Sequence, residues 1–201
     1  LTGTLVSVVN GDNITASYTT TAEPGSVAGV YTIYPALNDP DNRLGNYNVT
    51  VTNGALRINP VNQTITFGPI PAHTYGDAPF ALNATSSSGM PLTFVSASPS
   101  VVTISGNMAT IVGAGEGFII AYQFGGGGYL AANPVGQAVT VAKAPLTVRA
   151  NDRVSAYGSE PVLSASYTGF VNGDTMAVLT TPVILTTPAT AASIVGTYPI
   201  T

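Results

Sequence analysis

The chain has 201 residues, of which 45% are hydrophobic and only 7% are charged, and its formal net charge is −4. Five Lys and Arg residues provide no basic stripe, so neither nucleic acid nor an anionic membrane surface is an expected partner. The absence of cysteine excludes disulfides and thiolate metal sites. The most apolar stretch, residues 108–124, is interrupted by Glu116 and several glycines, so we expect no membrane insertion.

The first segment, residues 1–60, is dominated by period-2 alternation, which predicts β-strands. Its clearest local pattern is a run of β-formers at residues 46–52, the pair Asn53-Gly54, and a second run at residues 55–58. Asn-Gly is the pair that a type I′ turn requires, so these residues predict a β-hairpin.

The acidic pair of the first segment is Asp39-Pro40-Asp41, with Glu23 and Asp12 as further candidates nearby in space. Asp and Pro are typical turn residues, because an Asp side chain accepts hydrogen bonds from local amides. The alternative is a calcium site, since Asp39 and Asp41 would offer hard oxygen ligands. The spacing matches no calcium-binding loop, and we favour the turn and expect no cofactor.

The middle segment, residues 61–143, begins within the linker Asn59–Asn62 and contains seven short runs with strand character. Turn clusters separate them, which favours an antiparallel sandwich. The predicted strands are Gln63–Phe67, Phe80–Ala84, Leu92–Ser96, Val101–Ser105, Met108–Val112, Gly117–Phe124 and Gln137–Ala142. Their alternation predicts a core of Ile65, Phe67, Leu82, Phe94, Val102, Ile111, Ile120 and Tyr122.

Candidates for catalysis are few, and we expect no enzyme. His73 is the one histidine, and no serine stands in a Gly-x-Ser-x-Gly elbow, so we interpret it as a surface-loop residue. The run Gly125–Gly128 resembles a phosphate-binding loop, but no Lys-Ser/Thr follows it, and a flexible strand connection fits better. Lys143, the one lysine, lies in a linker, so we expect no isopeptide cross-link.

The third segment, residues 144–201, restarts the strand pattern at Leu146–Ala150 after the linker Ala142–Pro145. Residues 172–179 are the best helix candidate, one or two turns long, with Asp174 as its N-cap. Residues 12–16 occupy the equivalent place in the first segment.

A repeat relates the segments. Asn10-Gly11-Asp12 returns as Asn172-Gly173-Asp174, 162 residues later (172 − 10), and Tyr75-Gly76 returns as Tyr157-Gly158, 82 residues later (157 − 75). A fixed period of this kind is typical of tandem modules, and the tyrosines at repeated positions favour framework packing over sugar binding. Because the frame does not match the chain ends, we expect this to be a section of a longer protein.

These motifs carry a family resemblance. The third segment resembles the MBG-type (YGX or YDG-like) repeat modules of large secreted bacterial adhesin-like proteins through four stretches: Ala144–Val148, Tyr157-Gly158, Gly169–Thr175 and Gly196–Ile200. The first segment retains the part that the third would lack, Asn46-Tyr47 to Ile58. The middle segment is similar to the bacterial Ig-like repeats that alternate with such modules, through Gln63–Phe67, Tyr75–Asp77, Ser88–Phe94 and Tyr129–Ala132.

Together, pattern and resemblance imply an all-β, mainly antiparallel chain of small tandem modules. A central Ig-like β-sandwich (61–143) is expected between two partial β-grasp-like or Ig-like modules (1–60 and 144–201). The expected function is a non-enzymatic stalk or spacer at the bacterial surface or outside the cell, whose partners are neighbouring repeats of the same protein.

The alternative function is an adhesive or self-assembling module that binds glycans or like chains. Each flanking module lacks strands that the other has, so strand complementation between copies, head to tail, would propagate as a filament. The self-association candidates are Leu56, Arg57 and Ile58 on one strand and Leu146, Val148 and Ala150 on the other. The competing interpretation is that these edges are simply left loose.

Overall fold

The computed structural model describes residues Leu1–Thr201 and consists of β-strands, turns and extended segments, with 3₁₀-helices at Leu44–Asn46 and Met176–Val178. It contains no α-helix, and its strands pair mainly antiparallel, so the all-β prediction is confirmed. The strands are β1 (Thr15–Thr19), β2 (Gly29–Asn38), β3 (Gly54–Ile58), β4 (Ile65–Phe67), β5 (His73–Thr74), β6 (Phe80–Ala81), β7 (Ala84–Ser86), β8 (Thr93–Ser96), β9 (Val102–Ser105), β10 (Met108–Ile111), β11 (Gly115–Tyr122), β12 (Val135–Ala142), β13 (Thr147–Ala150) and β14 (Ala165–Thr168).

The chain forms two compact units, and neither coincides with one predicted segment. Unit 1 consists of Leu1–Thr66, Ala84–Leu92 and Tyr122–Val135, and unit 2 consists of Phe67–Asn83, Thr93–Ala121 and Gly136–Thr201. Residues of the middle segment are shared between the units, so each unit contains one of the two linkers. The boundaries 1–60, 61–143 and 144–201 stay a prediction.

Unit 1 is organised around a three-stranded antiparallel sheet in the order β1-β2-β3. In the register, Thr19 lies opposite Tyr34 and Gly29 lies opposite Ile58. The ten residues of β2 alternate between half-buried and exposed, because successive side chains of a strand point to opposite faces. Its half-buried row is Tyr31, Ile33, Pro35 and Leu37.

The predicted hairpin around Asn53-Gly54 is wrong. Residues 47–53 form no strand, Gly54 opens β3, and β3 pairs with β2 instead of with the residues just before it. Asn-Gly favours a hairpin only where no better partner is available, and β2 is long enough to pair with both β1 and β3. Tertiary pairing therefore overrides the local turn signal.

Besides the two-stranded sheet β13-β14, unit 2 contains two sheets with a buried layer between them. One has the order β6-β10-β9 and the other β5-β12-β11-β8, in which β5 and β12 are parallel. A Cβ atom added at Gly117 on β11 would lie 2.9 Å from the Val139 side chain and 3.3 Å from that of Val101, so the chain packs too closely there for a side chain. The rings of Phe67 and Phe94 meet edge to face, with centroids 5.7 Å apart.

The seven strands predicted for the middle segment are present, with ends shifted by a residue or two, apart from Phe80–Ala84, which divides into β6 and β7. Five of the eight predicted core residues are buried: Ile65, Phe67, Leu82, Val102 and Ile111. The phase predicted for β11 is wrong. Ile119 and Ala121 are buried where Ile120 and Tyr122 were expected, and Phe94 is only half-buried. Since Ile119 and Ile120 are adjacent and equally apolar, alternation alone cannot choose between them.

In the third segment β13 pairs antiparallel with β14, with Thr147 opposite Thr168. Further along, Thr186 and Thr201 exchange two backbone hydrogen bonds, of 2.7 and 3.0 Å. This pair is equivalent to Thr19 and Tyr34, where β1 and β2 meet in the first segment. Both flanking segments therefore contain the first residue pair of the same antiparallel strand pairing.

Matching hydrogen bonds support this equivalence. The hydroxyl of Tyr31 donates to the carbonyl oxygen of Val27 at 2.8 Å, and that of Tyr198 donates to Ile194, also four residues earlier, at 2.9 Å. Each tyrosine belongs to the repeated Gly-x-Tyr-x-Ile motif. The sequence repeat is therefore a structural repeat.

The helix predicted at residues 172–179 is a single 3₁₀ turn, Met176–Val178. Its N-cap is Thr175, whose hydroxyl oxygen accepts a hydrogen bond from the N–H of Ala177, so the prediction of Asp174 as the cap is wrong. The equivalent stretch of the first segment is a turn followed by β1, with no helix. Asp174 is free for a different contact.

Candidate functional site

His73 lies on β5 and not in a surface loop as predicted. Its ring stacks on that of Phe80 with centroids 4.0 Å apart, and its Nδ1 is 3.4 Å from Oδ2 of Asp77. Its Nε2 is buried without a hydrogen-bond partner. The same Asp77 oxygen accepts the N–H of Thr74 at 2.8 Å. These contacts contain an imidazole and a carboxylate but no serine nucleophile, and they close a turn.

Asp39 engages its own turn. Its carboxylate accepts the backbone N–H of Leu44 at 2.8 Å and that of Arg43 at 2.9 Å. These two bonds, with Leu44 first, hold the pKa of Asp39 below its usual value, because they favour the charged carboxylate. Asp41 is exposed. No group of three or more His, Asp or Glu side chains in the structure could hold a metal ion.

The two Asn-Gly-Asp motifs form the same turn at Val9–Asp12 and Val171–Asp174. In each, the N–H of the fourth residue donates to the carbonyl oxygen of the first, at 3.1 and 2.9 Å. Asn10 and Asn172 are left-handed, with φ of 57° and 55°. Asn tolerates this conformation better than most residues, which explains its presence at the turn.

The Asp of each turn accepts a hydrogen bond from a tyrosine hydroxyl. Tyr47 donates to Oδ2 of Asp12 at 2.6 Å, and Tyr75 donates to Oδ2 of Asp174 at 3.1 Å. The bond to Asp12 raises the pKa of Tyr47, because ionisation would lose the donated hydrogen and place two negative charges together. Tyr47 belongs to the same segment as its Asp, whereas Tyr75 joins the middle segment to the third.

The loop Tyr75–Asp77, here called the Tyr-Gly loop, forms the junction between the middle and third segments, which lies in unit 2 and is called the second junction. The N–H of Tyr75 donates to the carbonyl oxygen of Ala142 at 2.8 Å, which holds the loop beside the linker. Gly76 has φ +102°, and a Cβ atom there would lie 2.8 Å from the Val171 side chain. The backbone of Gly76 therefore packs directly on Val171, which only glycine allows.

The first junction, in unit 1, is formed by the linker and the glycine run. Val61 donates to the carbonyl oxygen of Gly128 at 2.8 Å and accepts the N–H of Leu130 at 2.9 Å, which makes Val61 and Tyr129 a parallel bridge. All four residues of Gly125–Gly128 have positive φ. The run connects β11 and β12 as predicted, but its backbone is hydrogen-bonded to the linker.

A buried glutamine pair lies behind this junction. The side-chain nitrogen of Gln63 donates to Oε1 of Gln123 at 2.5 Å and to the carbonyl oxygen of Leu130 at 2.6 Å. Oε1 of Gln63 accepts the hydroxyl of Ser88, and Oε1 of Gln123 accepts the N–H of Gly125. Sequence reasoning missed this pair. The signal was present, since Gln63 shares the inward phase of Ile65 and Phe67, and a polar side chain there needs a partner.

The self-association candidates lie on two strands that pair within their own segments. Leu56, Arg57 and Ile58 are on β3, which pairs with β2 and has no strand on its other side. Val148 and Ala150 are on β13, which pairs with β14 alone, and Leu146 directly precedes it. The strands belong to different units, and each presents one unpaired edge.

Two larger cavities lie in the flanking segments. The first, of about 500 Å³, is lined by residues 2–8, residues 47–54 and the inner faces of β1 and β2. The second, of about 410 Å³, is lined by parts of residues 153–163 and 187–200. Neither cavity is lined by a His, Asp or Glu side chain.

No helix of the structure has the length and apolar character needed to cross a membrane. Among curated proteins, none matches the chain. The sequence profile of the MBG domain (YGX type) family matches residues 1–57 and 146–201, which are the two flanking segments and more than half of the chain. Together with the repeated turns and tyrosine contacts of these segments, this match establishes that the chain belongs to the MBG domain (YGX type) family.

Proposed function

We propose that the chain is a non-enzymatic spacer, a section of a stalk in a large bacterial surface or secreted protein. MBG domains are repeat modules typical of surface and extracellular proteins, which supports a location at the cell surface or outside the cell. The low proportion of charged side chains fits a structural role. The structure has no group of three or more His, Asp or Glu side chains that could form a metal centre for catalysis.

The observation that carries this proposal is that both linkers are fixed by contacts. Val61 in the first linker makes two backbone hydrogen bonds, to Gly128 and from Leu130. Ala142 in the second linker accepts the N–H of Tyr75, in the Tyr-Gly loop that packs on Val171. A spacer must keep successive modules at a fixed separation, which freely flexible linkers cannot do. Fixed linkers are of less use to a module that acts alone.

Pulsed electron paramagnetic resonance tests this rigidity. The chain has no cysteine, so Cys pairs can be introduced and spin-labelled without background. The pair Thr32→Cys and Thr66→Cys reports on the first junction, and Thr103→Cys and Thr168→Cys reports on the second. We expect one narrow distance distribution for each pair. Broad distributions at both junctions would rule out the spacer.

The chain offers a matched control for the second junction. Gly76 and Gly158 both have positive φ, but a Cβ atom at Gly158 would meet nothing within 4 Å. Replacing either by Ala costs about 1–2 kcal/mol for the backbone conformation, whereas only Gly76→Ala adds a steric cost of about 1–3 kcal/mol. We expect Gly76→Ala to broaden the second distance distribution and Gly158→Ala to leave it narrow.

A second candidate function, adhesion or self-assembly, is favoured by the unpaired edges of β3 and β13. Exposed edges can pair with another chain, here Leu56–Ile58 with Leu146–Ala150 of a second copy, whereas glycan binding has no comparable support. Sedimentation equilibrium tests it. Self-association should weaken in Val148→Lys, since an edge lysine opposes pairing, and persist in Val162→Lys, at another exposed site. A strictly monomeric chain would exclude this candidate.

A further inference from the structure

The contact at the second junction joins a Tyr-Gly loop to an Asn-Gly-Asp turn. The chain contains a second copy of each, and these two copies do not contact each other within the chain. Tyr157-Gly158 repeats the Tyr-Gly loop, and Val9–Asp12 repeats the Asn-Gly-Asp turn. The loop at Tyr75–Asp77 is occupied by its turn, and Tyr75 is half-buried. Tyr157 is 76% exposed, which does not fit the framework packing predicted for it.

The turn shows the same contrast. Val171 is half-buried, with the backbone of Gly76 against it, whereas Val9 is 54% exposed. The turns share their backbone hydrogen bond and the left-handed Asn, so their shapes correspond. Val9–Asp12 therefore repeats the turn that elsewhere in the chain binds a Tyr-Gly loop, with its Val9 side chain exposed, while the hydroxyl of Tyr47 contacts the Asp12 carboxylate and the backbone of Val9.

The Asp12 carboxylate and the exposed Val9 side chain still allow a contact of the same kind. Oδ2 of Asp12 already accepts the hydroxyl of Tyr47, but a carboxylate has about four acceptor positions, so a second hydroxyl can bind. Gly158 has φ +88°, close to the +102° of Gly76, and a Cβ atom there would meet nothing within 4 Å. It can approach a valine side chain as Gly76 does.

We propose that the loop Tyr157-Gly158 of one copy docks on the turn Val9–Asp12 of a second copy. The hydroxyl of Tyr157 donates to the Asp12 carboxylate, and the backbone of Gly158 packs on Val9. The contact is heterologous, so it links copies head to tail. This inference rests on the proposed spacer function, since the same contact would join successive modules of one array.

Nuclear magnetic resonance of the full ¹⁵N-labelled chain over a range of concentrations up to about 1 mM tests the docking, because a contact limited to one loop and one turn is weak. We expect amide shifts to change with concentration at Val9–Asp12 and Ala156–Ser159 together. Tyr157→Ala and Asp12→Asn should reduce the changes at both segments. Tyr34→Ala, at an exposed tyrosine outside both, is the matched control and should leave them intact.

Three results would overturn the inference. They are the absence of any concentration dependence, changes at only one of the two segments, and changes confined to β3 and β13, which would indicate strand pairing instead. None of them bears on the spacer, which depends on the distances within one chain. Conversely, broad distance distributions at both junctions would rule out the proposed spacer function even if docking between copies were observed.

Discussion

The middle segment and the flanking MBG segments differ sharply in how much they bury. Every buried hydrophobic side chain except Ile14 lies between Ile65 and Val141. In the first segment the inner faces of β1 and β2 are only half-buried and line a cavity of about 500 Å³, and in the third segment residues outside the strands line a cavity of about 410 Å³. The middle segment encloses a core, and the flanking segments do not.

The difference follows from the number of sheets. In unit 2 the two sheets of the middle segment cover each other, so both inner faces are removed from water. The sheet β1-β2-β3 is covered by extended chain without regular pairing, and β13-β14 has only two strands. A two-stranded sheet is marginal by itself, so the flanking segments depend more on their neighbours.

The largest test of this comparison is to separate the segments. Residues 61–143, expressed alone, should unfold cooperatively on heating, because they contain nearly all of the buried core. Residues 144–201 alone should show no such transition. Circular dichroism during a thermal scan distinguishes the two. A cooperative transition in the second fragment, or none in the first, would break the comparison.

Within the core, Ile119→Ala should destabilise the chain by about 2–5 kcal/mol, since the side chain is fully buried and its removal leaves a cavity. Ile184→Ala is the control, because Ile184 is 81% exposed and its loss should change stability by less than about 0.5 kcal/mol. Urea unfolding measures both. Equal effects would mean that the burial difference has no energetic counterpart.

A double-mutant cycle on Gln63 and Gln123 tests whether the two buried glutamines act as a unit. Gln123→Ala should cost about 1–3 kcal/mol, because it leaves the buried nitrogen of Gln63 with one partner fewer. The double variant should cost less than the sum of the single ones. Additive losses in urea unfolding would show that the pair does not act as a unit.

In the first segment, Tyr47 should contribute a pH-dependent part of stability. Its pKa is raised above the ordinary 10.0, so the contribution is complete below pH 10 and is lost as the pH rises through the raised value. Tyr47→Phe should remove both the contribution and that part of the alkaline dependence. Tyr34→Phe, on the outer face of β2, should keep them. Unfolding followed from pH 8 to 11.5 compares the variants.

The smallest expected effect concerns Asp39. Its pKa is lowered from 3.8, so its contribution to stability is present above that value and is lost as the pH falls through the lowered pKa. Asp39→Asn should weaken this acid dependence. Millimolar calcium should leave the melting temperature unchanged, because the carboxylate already binds two amides. A rise in melting temperature that Asp39→Asn abolishes would instead establish a calcium site.

Pattern reasoning could predict the fold class and most strands of the middle segment, since alternation and turn residues there agree. It could not choose between Ile119 and Ile120, because the register depends on the facing sheet. It misplaced the hairpin at Asn53-Gly54, since the strand partner, β2, lies twenty or so residues earlier. Non-local pairing is the information that a local pattern lacks.

For the site, the repeat located both Asn-Gly-Asp turns and both Tyr-Gly loops, but it did not show that one binds the other. The hydrogen bond from Tyr75 to Asp174 joins residues far apart in the chain, and neither motif contains a sequence feature that identifies the other as its partner. Asp174 was predicted as a helix cap, a local role, for the same reason. Motif recurrence identifies parts, whereas contacts between them require the fold.

The parallel bridge at Val61 also bears on how the chain would respond to tension. Its two hydrogen bonds, to Gly128 and from Leu130, lie on either side of Tyr129. In a parallel pair, a pull along one strand displaces both bonds sideways at once, whereas a pull across the strands would open them one after the other. A pull along the first linker would therefore load these two hydrogen bonds together in shear.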